Sequence, residues 1–270
     1  MQRVEPNDQR RPAGQIVNGE RSIELDIVRA TWRPDALKPK LDTAMVFAER
    51  GHAPQNPGPL LRLQAGMPVR VSVHNTLDKP VQLRGLGDRV RSDTTVKGLA
   101  GFMQRGPLVL APGETREVQF TPTTPVTSFY YANVVTDTAA PPRGAPTGGL
   151  AGAFIVDAAG SIPDAAERIF MITIGLNLSI NGLEWPRTER LRYAEGETVQ
   201  WRVINVSGDL TLGKSWLTIG RDLRTGTDCT RGPDSTTHLR GAAGSAQDRG
   251  RIGEAATGES TGRVATPESA

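Results

Sequence analysis

The 270-residue chain contains one cysteine, Cys229, and three histidines, His52, His74 and His238. A single cysteine excludes an intramolecular disulfide and any multi-cysteine metal cluster. Aromatic residues make up 5% of the chain, so any core must be built mainly from aliphatic side chains. No apolar run approaches the roughly 20 residues of a membrane span. The start, MQRVEPNDQRRPAG, lacks the apolar stretch of a secretory signal. Charge of one sign is also scarce. The net charge is +3 with Lys and Arg spread along the chain, which predicts a solvated surface and no nucleic-acid partner.

Turn formers are plentiful, with 30 glycines and 20 prolines. They punctuate short strands and point to an all-β chain. SIELDIVRATW (22–32) alternates apolar and polar residues, with Ile23, Leu25 and Ile27 on one side. TAMVFAE (43–49), LLRL (60–63), VRVSVHN (69–75), PVQLRGLGDR (80–89), TREVQFTP (115–122), SFYYANVV (128–135) and GLAGAFIVDAAG (149–160) complete a set of strands suited to one sandwich.

Two segments repeat one another. Leu61, Arg62, Gly66, Val69, Val73 and Asn75 align without gaps on Leu191, Arg192, Gly196, Val199, Val203 and Asn205. The repeat predicts a second β unit. It opens with the apolar run RIFMITIGL (168–176) and an Asn-Gly turn in SINGLEW (179–185). After Gly220 the composition changes: Leu223, Leu239, Ile252 and Val264 are the only large aliphatics to the end. Such a stretch buries too little apolar surface to offset its conformational entropy. The expected organisation is therefore a disordered 1–14, a complete unit over 15–158, a partial one over 160–220, and a disordered tail over 221–270.

The order of these segments resembles the multicopper oxidase family, built from cupredoxin (plastocyanin-like) domains. The repeat resembles the opening of a cupredoxin domain. LAPGETREVQF (110–120) resembles the family's Pro-Gly-Glu segment, and GGLAGAFIVD (148–157) the strand that ends the first domain. INGLEWP (180–186) and VQWRVINVSGD (199–209) resemble parts of a later domain. The resemblance implies a cupredoxin-like Greek-key β-sandwich, one domain complete and a second partial. It also implies copper as cofactor, oxidation of substrates coupled to reduction of dioxygen, and a periplasmic or extracytoplasmic location.

The copper ligands do not accompany the resemblance. Where the family carries its His-x-His pairs, this chain has Gln82 and Arg84, then Ala132 and Val134. LTLGKSWLTIG (210–220) holds no histidine where another ligand motif is expected, and Cys229 stands between Asp228 and Thr230. A type-1 centre needs two imidazoles and a thiolate, and a protonated guanidinium offers no lone pair to a metal. The sequence therefore predicts no catalytic, cofactor-binding or metal-binding residues, and a degenerate or truncated family member that is inactive as written. Two alternatives stand beside it. One is a non-enzymatic, metal-free β-sandwich that binds a partner; the other is a frameshifted or truncated product of an active oxidase gene.

Other candidates have bland readings. His74 reads as a cross-strand histidine and His52 as a loop residue. Cys229 and His238 could pair as thiolate and imidazole, but read as adventitious. Phe129, Tyr130 and Tyr131 read as alternating core and surface positions rather than a ligand platform. Asp88, Arg89, Arg91 and Asp93 read as a solvated loop. Gly148-Gly149 lacks the following helix of a phosphate loop. The apolar side chains of the partial unit need a covering surface, which either the first unit or another copy of the chain would supply; a homo-oligomer through this unit is one of these two outcomes.

Overall fold

The computed structural model describes residues 1–33, 42–86, 107–135, 149–174, 176, 178–193 and 198–206, together with the backbone of 225–231 and 236–242. All regular structure among them is β, in three sheets. The first sheet contains β1 (Glu5–Pro6), β2 (Gln15–Val17), β3 (Glu20–Trp32), β4 (Asp42–Glu49), β5 (Gln55–Asn56), β7 (Val69–Asn75) and β10 (Thr115–Phe120). Its order is β1-β5-β4-β3-β7-β10, with β2 paired to β3. The second is β6 (Gly58–Gln64), β12 (Ala151–Asp157), β11 (Val126–Val134), β8 (Val81–Arg84) and β9 (Leu108–Leu110), in that order.

The two sheets close on one apolar core, as alternation demands. From β3 come Ile23, Leu25 and Ile27, and from β7 come Val69, Val71 and Val73. Leu83, Tyr130, Ala132, Phe154 and Val156 meet them from the second sheet. Asn75 ends β7 fully buried and ties the far edge together: its amide nitrogen donates to the carbonyls of Lys79, Leu110 and Ala111, and its carbonyl accepts from Leu77 N.

Residues 1–14, expected to be disordered, are packed instead. Val4 lies in a small cluster with Ala30, Trp32, Ala44 and Val46. Ala13 joins the main core, and Asn7 and Gln9 are buried. Val4 N bonds Thr31 O, and Thr31 N bonds Gln2 O. A polar segment orders here because its backbone pairs with β3 and because Asn7 and Gln9 both donate to the Gly58 carbonyl.

The third sheet is β14 (Leu178–Ile180), β13 (Arg168–Ile174), β15 (Thr198–Asn205), β17 (Thr236–Ala242) and β16 (Thr225–Arg231). It reproduces the first sheet. β7 has β3 parallel on one side and β10 antiparallel on the other. β15, its repeat, has β13 parallel and β17 antiparallel. β4 lies antiparallel on β3 as β14 does on β13. The repeat is thus one of topology, centred on one strand; residues 189–193, its other expected part, form no strand. The hairpin β16–β17 falls within 221–270, the expected disordered tail. Its pairing runs backbone to backbone along the open edge of β15, which needs no apolar composition. The rest of that tail lies outside the described residues.

The third sheet lies against the outer face of the second. Ile169, Met171, Ile204 and Val206 pack on Leu60, Phe129, Tyr131, Ala151, Ala153 and Ile155. The middle of the second sheet is therefore buried on both faces: every residue of β12 and all of β11 but its two ends.

Candidate functional site

β8 and β11 hold the four positions that match copper ligands in the resembled family. They run antiparallel, pairing Arg84 with Tyr131, Leu83 with Ala132, Gln82 with Asn133 and Val81 with Val134. Directly opposed residues share a face. Gln82 and Arg84 therefore lie on the outer face with Tyr131 and Asn133. Ala132 and Val134 lie on the inner face with Leu83 and Val81, against the main core. The four positions do not converge. Gln82 Oε1 is buried without a hydrogen-bond partner.

The donor set does not fit copper. An amide, a guanidinium and two aliphatic side chains offer no imidazole or thiolate. The histidines are engaged elsewhere: His74 Nδ1 lies 3.6 Å from Asp26, and half-exposed His52 lies 3.8 Å from Glu49. Within the β16–β17 hairpin, Cys229 is opposite Leu239 and His238 opposite Thr230, so the two are not register partners. The charged loop Asp88, Arg89, Arg91 and Asp93 lies outside the described residues, as does Gly148.

The aromatic run of β11 splits between both cores. Phe129 and Tyr131 face the third sheet with ring centroids 5.6 Å apart. The run read as alternating core and surface, but the third sheet covers the second face too and leaves Tyr131 5% exposed. Tyr130 is fully buried in the main core, 4.9 Å from the Phe47 ring, and its hydroxyl donates to the Pro59 carbonyl at 2.8 Å. Gly152 lies under that ring: a Cβ there would stand 2.4 Å from Tyr130 Cζ. The glycine of the Gly-Leu-x-Gly-Ala stretch is thus a requirement of close packing, not of ligand binding.

Burial pushes the Tyr130 phenol well above its ordinary value, with the Glu49 charge adding to the effect. The folded state therefore keeps the proton that the unfolded chain gives up near pH 10, about the ordinary tyrosine value. The linked stability is complete below that pH and falls as pH rises through it. Tyr130→Phe is expected to lose about 1–2 kcal/mol at pH 7, since the buried Pro59 carbonyl loses its donor. Denaturant midpoints between pH 8 and 11 should also fall less steeply than in the parent. Parallel slopes in the two proteins would show that Tyr130 titrates normally.

A cluster that the sequence reading missed sits where the three segments β6, β12 and β15 meet. Arg62 Nε and Nη2 donate to Asp157 at 2.6 and 3.1 Å. Arg62 Nη1 lies 2.7 Å from Glu167. Arg202 Nε donates to Glu167 at 2.6 Å, Nη2 to Asp157 at 3.1 Å, and Nη1 to Thr127 Oγ1 at 2.7 Å. Burial alone would lower the Arg62 guanidinium, but Asp157 and Glu167 outweigh it and hold it above its ordinary value. Arg62 was visible in the repeat, yet its partner Asp157 is 95 residues away. Its repeat counterpart, Arg192, is exposed, so repetition gave no sign of the role.

Comparison with known proteins fits this architecture. Residues 49–161 match the family model for multicopper oxidase. A curated relative, a probable nitrite reductase–hydroxylamine oxidoreductase fusion protein of Kuenenia stuttgartiensis, is 28% identical over 143 residues. That match covers 52% of this chain and only 16% of the relative's length. Among solved structures, the copper nitrite reductase of Nitrosomonas europaea superposes with a TM-score of 0.58 at 18% identity, covering 83% of this chain and 85% of that one. A multi-copper oxidase of Pseudomonas thermotolerans gives 0.56 at 16% identity, with 84% of this chain and 59% of that one covered. At these identities the superpositions speak for the fold alone. Over residues 49–161 the chain is similar to the multicopper oxidase family, on an all-β, cupredoxin-like fold.

Proposed function

We propose that the chain as written is a multicopper-oxidase-related β-sandwich that does not assemble the family's copper centres and does not catalyse copper-dependent oxidation. One observation carries this reading. The four positions matching lost ligands hold Gln82, Arg84, Ala132 and Val134, and the β8–β11 register divides them between opposite faces of one sheet. Copper belongs to the relatives; this chain supplies no set of donors for it among the described residues. A periplasmic or extracytoplasmic location follows from the resemblance and is part of the same proposal.

A partner-binding module is the second reading, and the third sheet favours it. Val199 and Val203, at the positions of Val69 and Val73, are buried within the chain, and Trp201 packs on Phe170 and Tyr193, so the open part of this face lies towards β14. On the same side lie Phe170 and Ile172, and on the edge strand β14 Leu178 and Ile180 are 65% and 37% exposed. Another copy of the chain is the partner this reading names.

Elemental analysis after copper loading, a mild chelator wash and desalting tests the first reading. The expected ratio of copper to protein is far below one. A retained ratio of one or more, or intense visible absorption of a copper–thiolate centre, overturns it. Light scattering on the same sample addresses the second: a monomer at all concentrations removes self-association.

A further inference from the structure

We propose that the ring Arg62–Asp157–Arg202–Glu167 is a latch that fixes how the third sheet sits on the first unit, and that breaking its charge balance releases that sheet. The ring alternates cation and anion and closes on itself. Its four side chains are 13%, 6%, 12% and 3% exposed. It joins all the parts that would have to move: Arg62 on β6, Asp157 at the end of β12, Glu167 just before β13, and Arg202 on β15. Thr127 of β11 takes the remaining Arg202 donor.

Two features make the ring decisive for orientation. The apolar contact beside it, Ile169, Met171, Ile204 and Val206 on Leu60, Phe129, Tyr131, Ala151, Ala153 and Ile155, rests on apolar packing, which is only weakly directional. Such a contact tolerates sliding, whereas paired guanidinium–carboxylate bonds fix register and angle. The ring is also dry enough that losing one charge leaves its partners uncompensated, which costs far more than removing a matched pair. A cleft of about 410 Å³ runs alongside, lined by Val126, Ser161, Pro163 and Gln200 as well as the ring. The connecting segment between Asp157 and Glu167 borders this cleft, with Ile162 92% exposed. Release of the ring would open the structure at this seam.

The test is hydrogen exchange on the full chain, comparing peptides from 168–174 and 198–206 with a control peptide from 69–75. Exchange reads local opening directly. Arg202→Met and Glu167→Gln, made singly, are expected to raise exchange in the third sheet at least about tenfold while the control stays protected. The matched pair Arg202→Met with Glu167→Leu leaves Arg62 and Asp157 as a neutral couple, and is expected to return within about threefold of the parent. If Arg202→Met fails to fold, Thr127→Val takes its place, since it removes only the hydroxyl that receives Arg202 Nη1; it should raise third-sheet exchange a few-fold. The proposal is overturned if the single changes leave exchange unaltered, if the control peptide opens equally, or if the matched pair is no better than the worse single change.

Discussion

Ala132→His is expected to destabilise the first unit strongly and to recruit no copper. Ala132 is 0% exposed, and its register partner Leu83 lies with it in the main core. An imidazole there adds volume to a packed interior, at about 1–3 kcal/mol. It also buries a polar ring with no partner in view, at about 1–3 kcal/mol more. Adding Gln82→His and Arg84→His puts two further imidazoles on the opposite side of the sheet, where they cannot meet the first. Urea unfolding with and without copper measures both effects. The expected midpoint falls in each variant and copper does not restore it. A copper-dependent gain in stability in the multiple variant would mean that β8 and β11 can slip register to gather the ligands, and would defeat the proposed reading of the site.

Removing residues 159–270 is expected to leave a fragment that folds and then associates. The first unit keeps both of its sheets, including the N-terminal segment that holds Val4 and Ala13. The loss bares Leu60, Phe129, Tyr131 and Ile155 on the outer face of the second sheet. Each of these is worth roughly 1.5–3 kcal/mol when fully buried. They lie together rather than scattered, which makes a sticky patch. Concentration-dependent light scattering together with a lowered denaturation midpoint is the expected result. The converse fragment, 160–220, has no surface to cover Ile169, Met171 and Ile204 and is expected not to fold. A monomeric 1–158 fragment with the midpoint of the intact chain would show that the third sheet contributes nothing to the first unit. It would also refute the division of labour drawn from the contacts.

The first unit was largely legible because its strands alternate cleanly. Ile23, Leu25 and Ile27, or Val69, Val71 and Val73, announce one buried face, and the structure buries that face. The run Ala151–Val156 reads as a strand in sequence, but that both its sides are covered, and by what, shows only in the structure. The N-terminal segment was illegible because composition measures side chains, and this segment is held by backbone pairing and by two buried amides. The scarcity of copper-ligand residue types could be read from the counts of histidine and cysteine alone. That Gln82 and Arg84 stand back to back with Ala132 and Val134 could not, because a face is assigned only when the pairing register is known. The ionic ring was hidden for a related reason: Arg62, Asp157, Glu167 and Arg202 carry no local pattern, and only three-dimensional closure brings them together.

The two copies of the repeated sheet differ most on their outward side. On β7 that side presents Arg70, Ser72 and His74, which meet solvent; on β15 the corresponding positions are Gln200, Arg202 and Ile204, which meet the first unit. Alternate positions of a single strand thus turn a free-standing face into a docking face. Ile204 and Arg202 seat on Ile155, Tyr131 and Asp157 of the second sheet, so removing the third sheet uncovers those residues, while the outward face of β7 needs no cover.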